Sequence, residues 1–250
     1  MVNTVVETLS RKGTPFWAET LRLDDARERV RPPHNTDDQA SPDPHPFFSG
    51  GFIRLIDVIV SLVALVFLLP AMVLVGLWVR LNDGGPAFYA QPRIGRGGKL
   101  FKCYKFRSMR VNADALLTEY LLSNEVARLE WEKEHKLKND PRITGLGHFI
   151  RKTSLDELPQ LWNVLRGDMS LVGPRPIVAA EVVKYGHSFP AYASVTPGIT
   201  GLWQVMGRND VCYHRRVAMD RLFARRRNLR LYVFILLATI PAVLLQKGSY

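Results

Sequence analysis

The chain has 250 residues, 47% of them hydrophobic, with 34 Lys and Arg against 23 Asp and Glu and a formal net charge of +11. That apolar content excludes disorder throughout and is enough for one ordinary core, so one folded domain with attachments is expected rather than two. The positive excess calls for an anionic partner (phosphate, nucleic acid or a membrane surface) without choosing among them, while Cys103 and Cys212, far apart in sequence, indicate neither a disulfide framework nor a zinc site.

The first 50 residues include "RPPHNTDDQASPDPHPFFSGG", rich in Pro and small polar residues and without a sustained apolar period, and are predicted to be a disordered cytoplasmic tail. They carry 6 basic against 8 acidic residues, so the basicity belongs to residues 51–250, with 28 against 15. No basic start followed by an apolar stretch marks a secretory signal, and the chain is expected to stay on the cytoplasmic side.

Residues 51–82 hold an uncharged apolar run, Val58 to Val79, and are predicted to be a membrane helix. Pro70 near its centre removes a backbone donor and clashes with the preceding turn, so a kink or break is expected there. A broken helix can enter and leave by one face; an ordinary kinked transmembrane helix is the alternative. Arg80, Arg93, Arg96 and Lys99 follow the run while Arg54 precedes it, which puts the C-terminal bulk in the cytoplasm.

Beyond it, "LNDGGPAFYAQPRIGRGGKLFKCYKFRSMR" reads as turns and short strands, with turns at Gly84-Gly85-Pro86 and Gly95 to Gly98. Lys102 and Lys105 among aromatics could face single-stranded nucleic acid, lipid headgroups, a nucleotide phosphate or only solvent. Residues 113–138 place Leu116, Leu117, Tyr120, Leu121 and Leu129 at amphipathic helical spacing and are expected to be core scaffolding, with His135 a surface residue rather than a metal ligand.

The stretch "RKTSLDELPQLWNVLRGDMSLVGPRP" (151–176) sets two acids, Asp156 and Glu157, among cations and prolines. Pro159 suits a first helical position and Gly167 the position past a helix end, giving a short helix with the acids just ahead of it. A capping box from Ser154 to Glu157 is the competing parse. Either way the acids sit at a helix N-terminus, where the dipole favours negative charge and also attracts phosphate; simple capping is the plainer alternative. Arg151 and Lys152 on one side, Arg175 between Pro174 and Pro176, and Arg208 after the glycine turns of "TPGITGLWQVMGRND" suit chemistry on a phosphate. Adjacent carboxylates can hold Mg²⁺, and a carboxylate can attack phosphorus to give an acyl phosphate.

The segments "KFRSM", "DPRIT", "SLDELPQLWNVLRGDMSLVGPRP" and "PGITGLWQVMGR", in that order over roughly residues 50 to 250, resemble the bacterial sugar transferases, the monotopic polyprenyl-phosphate phosphoglycosyl transferases. "GRNDVCYHRRV" and the terminal "KGSY" are most similar to the short enzymes that initiate exopolysaccharide by moving galactose 1-phosphate. The resemblance implies a small α/β domain (residues 83–230) with a short β hairpin, anchored on the inner face of the bacterial cytoplasmic membrane by a re-entrant helix broken at Pro70. Leu69 stands where the family commonly has Ser. The implied reaction transfers a sugar 1-phosphate from a UDP-sugar to undecaprenyl phosphate, releasing UMP through a covalent phospho-sugar enzyme. Asp156 is the implied nucleophile and Glu157 its Mg²⁺-associated partner, with both acids at the metal. Arg151 and Arg175 are the implied phosphate clamp, and Lys105 and Arg208 lie near it. Glucose or an N-acetylated sugar fits the same phosphate chemistry.

Arg215, Arg216, Arg221, Arg225, Arg226, Arg227 and Arg230 precede the apolar run Leu231 to Leu245, which is short for spanning; residues 231–250 are predicted to be an interfacial helix beside anionic lipids. Here "FARRRNLRLY" departs from the aromatic-Asn-Trp-Ser pattern of the family. A nucleic-acid-binding module or a non-catalytic scaffold is the rival class, and neither accounts for Asp156 and Glu157 beside Arg151 and Arg175; no nucleic-acid partner is expected. The apolar segment leaves room for a homo-oligomer.

Overall fold

The computed structural model describes residues 46–134, 137, 139–207 and 211–244; most of the predicted tail (1–45), His135, Arg208 and the terminal "KGSY" lie outside them. The apolar run forms α1 (Pro46–Asp83), helical without interruption across Pro70. The backbone thus stays helical through Pro70, without the expected break in the helix there. Among the described residues α1 is the one helix long and apolar enough to cross a membrane. Val66, Phe67, Leu69 and Leu74 in its middle are exposed.

Both ends of α1 are tied to the rest of the domain. Near the start, Ile53, Asp57 and Ser61 are buried, and near the end Val75 and Val79 pack with Phe106 and Ile150 while Asp83 pairs with Arg107. A hairpin follows, β1 (Phe88–Ile94) antiparallel to β2 (Leu100–Phe106), with Phe88 opposite Phe106 and Ile94 opposite Leu100. Its turn is a short 3-10 segment, Arg96–Gly98, with Gly97 at φ 69°.

The predicted scaffold helix is instead two helices, α2 (Ala113–Ser123) and α3 (Glu125–Glu134), separated at Asn124. No residue of α2 is buried, and Leu122, Val126 and Leu129 face outward. Of the predicted face, Leu116, Leu117, Tyr120 and Leu121 are half-buried while Leu129 is exposed, so the domain covers it only in part.

α4 (Gly145–Lys152) starts at Thr144, whose side chain accepts from Gly147 N. A 3-10 turn, Leu155–Glu157, leads through Pro159 into α5 (Gln160–Arg166), which ends at Gly167 with φ 89°. β3 (Ser170–Val172) pairs in parallel with β4 (Gly198–Thr200). Between them lie α6 (Val182–Tyr185) and α7 (Phe189–Ala193). α8 (Leu202–Met206), α9 (Tyr213–Arg226) and α10 (Leu229–Leu244) complete the chain. Helices dominate, and among the described residues the named strands form two two-stranded sheets. The α/β expectation thus holds as a mostly helical domain with short sheets.

The main core joins Ile53 of α1, Leu161 and Val164 of α5, Leu171 and Val172 of β3, Phe223 of α9, and Tyr232 and Ile235 of α10. The C-terminal helix is therefore part of the core on one face, while Val233, Phe234, Leu237 and Ile240 are exposed on the other. The Asp57 carboxylate sits where three elements meet: it accepts from Leu171 N at 2.7 Å, Ser170 Oγ at 3.1 Å and Tyr232 Oη at 2.6 Å. Arg54 donates to Val164 O and Leu165 O at 2.5 and 2.8 Å, satisfying carbonyls at the end of α5.

Candidate active site

The two acids stand on the 3-10 turn that precedes α5. Ser154, ahead of them, adopts the left-handed region at φ 58° and makes no side-chain capping bond, so the capping box does not form. The other parse is close: Pro159 stands one residue before α5 and Gly167 closes it. Asp156 is 8% exposed, so it is not a solvated cap.

Lys105, the first residue of "KFRSM", comes across from β2. Its Nζ donates to Glu157 Oε1 at 2.7 Å and lies 3.9 Å from Asp156 Oδ2. Arg175 Nη1 approaches the same Glu157 oxygen at 3.5 Å, with its side chain 41% exposed. Two cations thus converge on one carboxylate, and one remains open enough to meet a second anion.

What brings β2 to the acids is Asn163, wholly buried on α5. Its Oδ1 accepts from Tyr104 N at 3.0 Å and its Nδ2 donates to Lys102 O at 2.7 Å, so the amide pairs with the outer edge of β2 as another strand would. Lys105 follows directly on that edge. The visible signal for Asn163 was a polar residue next to Val164 in a short, largely apolar helix. A buried amide there requires partners.

The electrostatics separate the two acids. Burial raises the pKa of Asp156, and the neighbouring Glu157 charge adds to this against the opposing pull of Lys105, Arg151 and Arg175. Burial acts in the same sense on Glu157, but Lys105 and Arg175 outweigh it and hold that carboxyl well below its usual range. Arg175 is pushed up, chiefly by Glu157. Glu157 is therefore the fixed anion of the pair, and Asp156 the carboxylate with the less stabilised charge and the more basic oxygen.

Of the residues expected from sequence, Asp156, Glu157, Lys105 and Arg175 are brought together. Arg151 lies exposed in the last turn of α4 and acts on Asp156 through its charge. Pro70 lies apart in α1. Arg93 and Glu181, whose carboxylate lies 3.8 Å from the Arg93 guanidinium, border the Arg175 loop and were not singled out.

The donor set fits Mg²⁺ in one respect: two adjacent carboxylates are what the ion ordinarily takes from a protein when phosphates and water complete its shell. Among the described residues no group of three or more His, Cys, Asp or Glu is arranged to hold a metal.

The sequence profile of the family described as bacterial sugar transferase matches residues 49–246. The chain is 52% identical over 198 residues, 79% of its length, to the undecaprenyl-phosphate galactose phosphotransferase of Salmonella typhimurium, of which it covers 41%. It is 47% identical over 197 residues to the exopolysaccharide production protein ExoY of Rhizobium meliloti, covering 79% of this chain and 87% of that one. With the UDP-glucose:undecaprenyl-phosphate glucose-1-phosphate transferase of Xanthomonas campestris it shares 39% over 202 residues, 78% of this chain and 39% of that one. The chain therefore spans about two fifths of the length of some relatives and most of others.

Proposed function

Because the chain belongs to the bacterial sugar transferase family, we propose that it moves a sugar 1-phosphate from a UDP-sugar to undecaprenyl phosphate, releasing UMP, as the first membrane step of exopolysaccharide synthesis. Galactose 1-phosphate is the proposed group, because relatives at 52% and 47% identity are named for galactose transfer and exopolysaccharide production while a glucose-named relative stands at 39%. The observation that carries the reading is the convergence of Lys105 and Arg175 on Glu157 with Asp156 beside it.

In the first half-reaction an Asp156 oxygen attacks the phosphorus bonded to the sugar. The bond from that phosphorus to the UMP oxygen breaks, and UMP leaves with the electron pair. Asp156 then carries the sugar phosphate as an acyl phosphate. In the second, a phosphate oxygen of undecaprenyl phosphate attacks the same phosphorus, and the Asp156 carboxylate is the leaving group. Both are displacements between oxyanions and need no net proton transfer. Their barrier is largely the crowding of negative charge, which Lys105, Arg151 and Arg175 offset. Bound Mg²⁺, with Asp156 and Glu157 as its protein ligands, would further neutralise the diphosphate.

The lipid acceptor requires the acids to lie near the headgroup plane. The tethering of both ends of α1 to one domain supports ends on one membrane face, and so a helix that bends at Pro70 while staying helical there, since a helix spanning a bilayer has its ends on opposite faces. The middle of α1 and the exposed apolar face of α10 would enter the lipid, with α10 interfacial. Arg215, Arg225 and Arg226, exposed on α9, would meet anionic headgroups on the cytoplasmic face of the inner membrane.

The test is to incubate membranes containing the chain with radiolabelled UDP-galactose, UDP-glucose and UDP-N-acetylated sugars in turn, with Mg²⁺ and undecaprenyl phosphate. Labelled lipid and UMP are expected with UDP-galactose. Absence of transfer from every donor would overturn the reading; transfer from glucose alone would correct the sugar.

A further inference from the structure

The loop carrying Arg175 is pinned on both sides, and the downstream pins converge on residues to which neither the motifs nor the relatives assign a role. Upstream, Gly173 N donates to Thr200 O and Gly198 N to Pro174 O, both at 2.8 Å. The backbones approach so closely that a Cβ on Gly198 would stand 2.0 Å from Gly173 N. Downstream, Ile94 N donates to Ile177 O at 2.9 Å. Tyr192 Oη bridges the same two residues, donating to Ile94 O at 2.8 Å and accepting from Ile177 N at 3.2 Å.

Arg93 completes this clamp. Its Nη1 donates to Pro176 O at 3.0 Å and its Nη2 to Gln91 Oε1 at 2.6 Å. Glu181 Oε2, 3.8 Å from Arg93 Nη1, also accepts from Val178 N at 3.0 Å. Pro174 and Pro176 fix φ on either side of Arg175, which leaves the peptide planes after Arg175 and Pro176 as the loop's main freedom. Arg93 holds the second of these by its carbonyl.

We propose that Arg93 is a positioning residue for Arg175: by gripping the Pro176 carbonyl it aims the Arg175 guanidinium at the point where that group meets Glu157 and, in transfer, a substrate phosphate. The inference rests on the phosphate-clamp role given to Arg175 above. Holding a carbonyl with a guanidinium whose side chain is 15% exposed is costly. Burial and then the charge of Arg175 both press its pKa down, and among the described residues its buried Nε has no hydrogen-bond partner. An apolar residue would pack there at less cost but could not orient the peptide. Lysine could reach the carbonyl but could not also serve Gln91 in the same fixed geometry.

The test is a double-mutant cycle on the full chain in membranes, with kcat and KM for the UDP-sugar measured at saturating undecaprenyl phosphate. Arg93→Met alone is expected to lower kcat/KM by about 10²-fold, the scale of a misplaced catalytic group, and Arg93→Lys to recover to within about tenfold of wild type. In an Arg175→Ala background, adding Arg93→Met should cost less than about threefold, because the residue it positions is already gone. Equal losses in both backgrounds, or an unchanged Arg93→Met, would overturn the role. If thermal unfolding shows that Arg93→Met does not fold, Arg93→Lys is carried through the same cycle under the same criterion. A wild-type chain without transfer would overturn the transferase reading and this role together, whereas wild-type transfer with additive losses would overturn this role alone.

Discussion

Lys105 pairs with Glu157 and stands off from Asp156: its Nζ is 2.7 Å from one carboxylate and 3.9 Å from the other. A lysine so placed holds Glu157 ionised and leaves Asp156 available to react. Lys105→Met is therefore expected to lower transfer by about 10²- to 10³-fold, the usual effect of removing one charge-stabilising donor. Lys105→Arg should restore part of it. Initial rates with matched expression and thermal unfolding controls decide the matter; a Lys105→Met chain with wild-type rates would remove Lys105 from the site.

The Asp57 carboxylate is expected to behave as a structural anchor. Asp57→Ala leaves Leu171 N and the Ser170 and Tyr232 hydroxyls without their acceptor and should cost about 3 kcal/mol. Tyr232→Phe removes one of the three donors and should cost about 1 kcal/mol. Denaturant unfolding in detergent micelles measures both; equal effects would show that the tyrosine carries the junction alone.

Stability should depend on Asp220. This carboxylate is wholly buried on α9 and accepts from Tyr185 Oη at 2.7 Å. Burial raises its pKa to about 7 against the opposing effects of Tyr185, Arg175 and Arg216. A carboxyl with its folded pKa above its unfolded one binds more protons when folded across the interval between them. Its contribution to stability therefore falls as pH rises toward about 7. The wild type should lose melting temperature between pH 5.5 and 7.5 relative to Asp220→Asn, which lacks this titration. Parallel pH profiles for the two chains would exclude Asp220 as the source.

The topology of α1 can be read by labelling a cysteine introduced at Gly51 or at Asn82, in a chain with Cys212→Ser whose remaining Cys103 is buried, using an impermeant maleimide on sealed vesicles of known orientation. A Cβ at Gly51 meets nothing within 4 Å, and both positions are exposed. Both are expected to react from the cytoplasmic face alone. Reaction from opposite faces would establish a spanning helix.

Much of the local structure was legible because its signals are local. The Gly95 to Gly98 turn announced the hairpin, Pro159 and Gly167 bracketed α5, and the apolar run marked α1. Asp156 and Glu157 stood out as acids among cations. Lys105 gave a weaker signal, since its meeting with Glu157 depends on Asn163 gripping the edge of β2 from 59 and 61 residues away. Arg54, Asp57 and Arg93 were hidden for the same reason: their partners are backbone groups 83 to 114 residues distant. Over 113–138 the period was helical but the burial it implied is only partial, with Leu116, Leu117, Tyr120 and Leu121 half-buried, because amphipathicity shows which face could be covered and not how fully it is covered.

The most direct test of the account is whether Asp156 becomes covalently loaded. The chain would be incubated with UDP-galactose and Mg²⁺ without undecaprenyl phosphate, then digested and examined by mass spectrometry for the peptide containing Asp156. The account predicts a hexose-phosphate adduct on Asp156 with an equivalent of UMP released, discharged on adding the lipid phosphate and absent from Asp156→Asn. A chain that transfers sugar phosphate to the lipid while never carrying the adduct, or an Asp156→Asn chain that transfers at the wild-type rate, would contradict it.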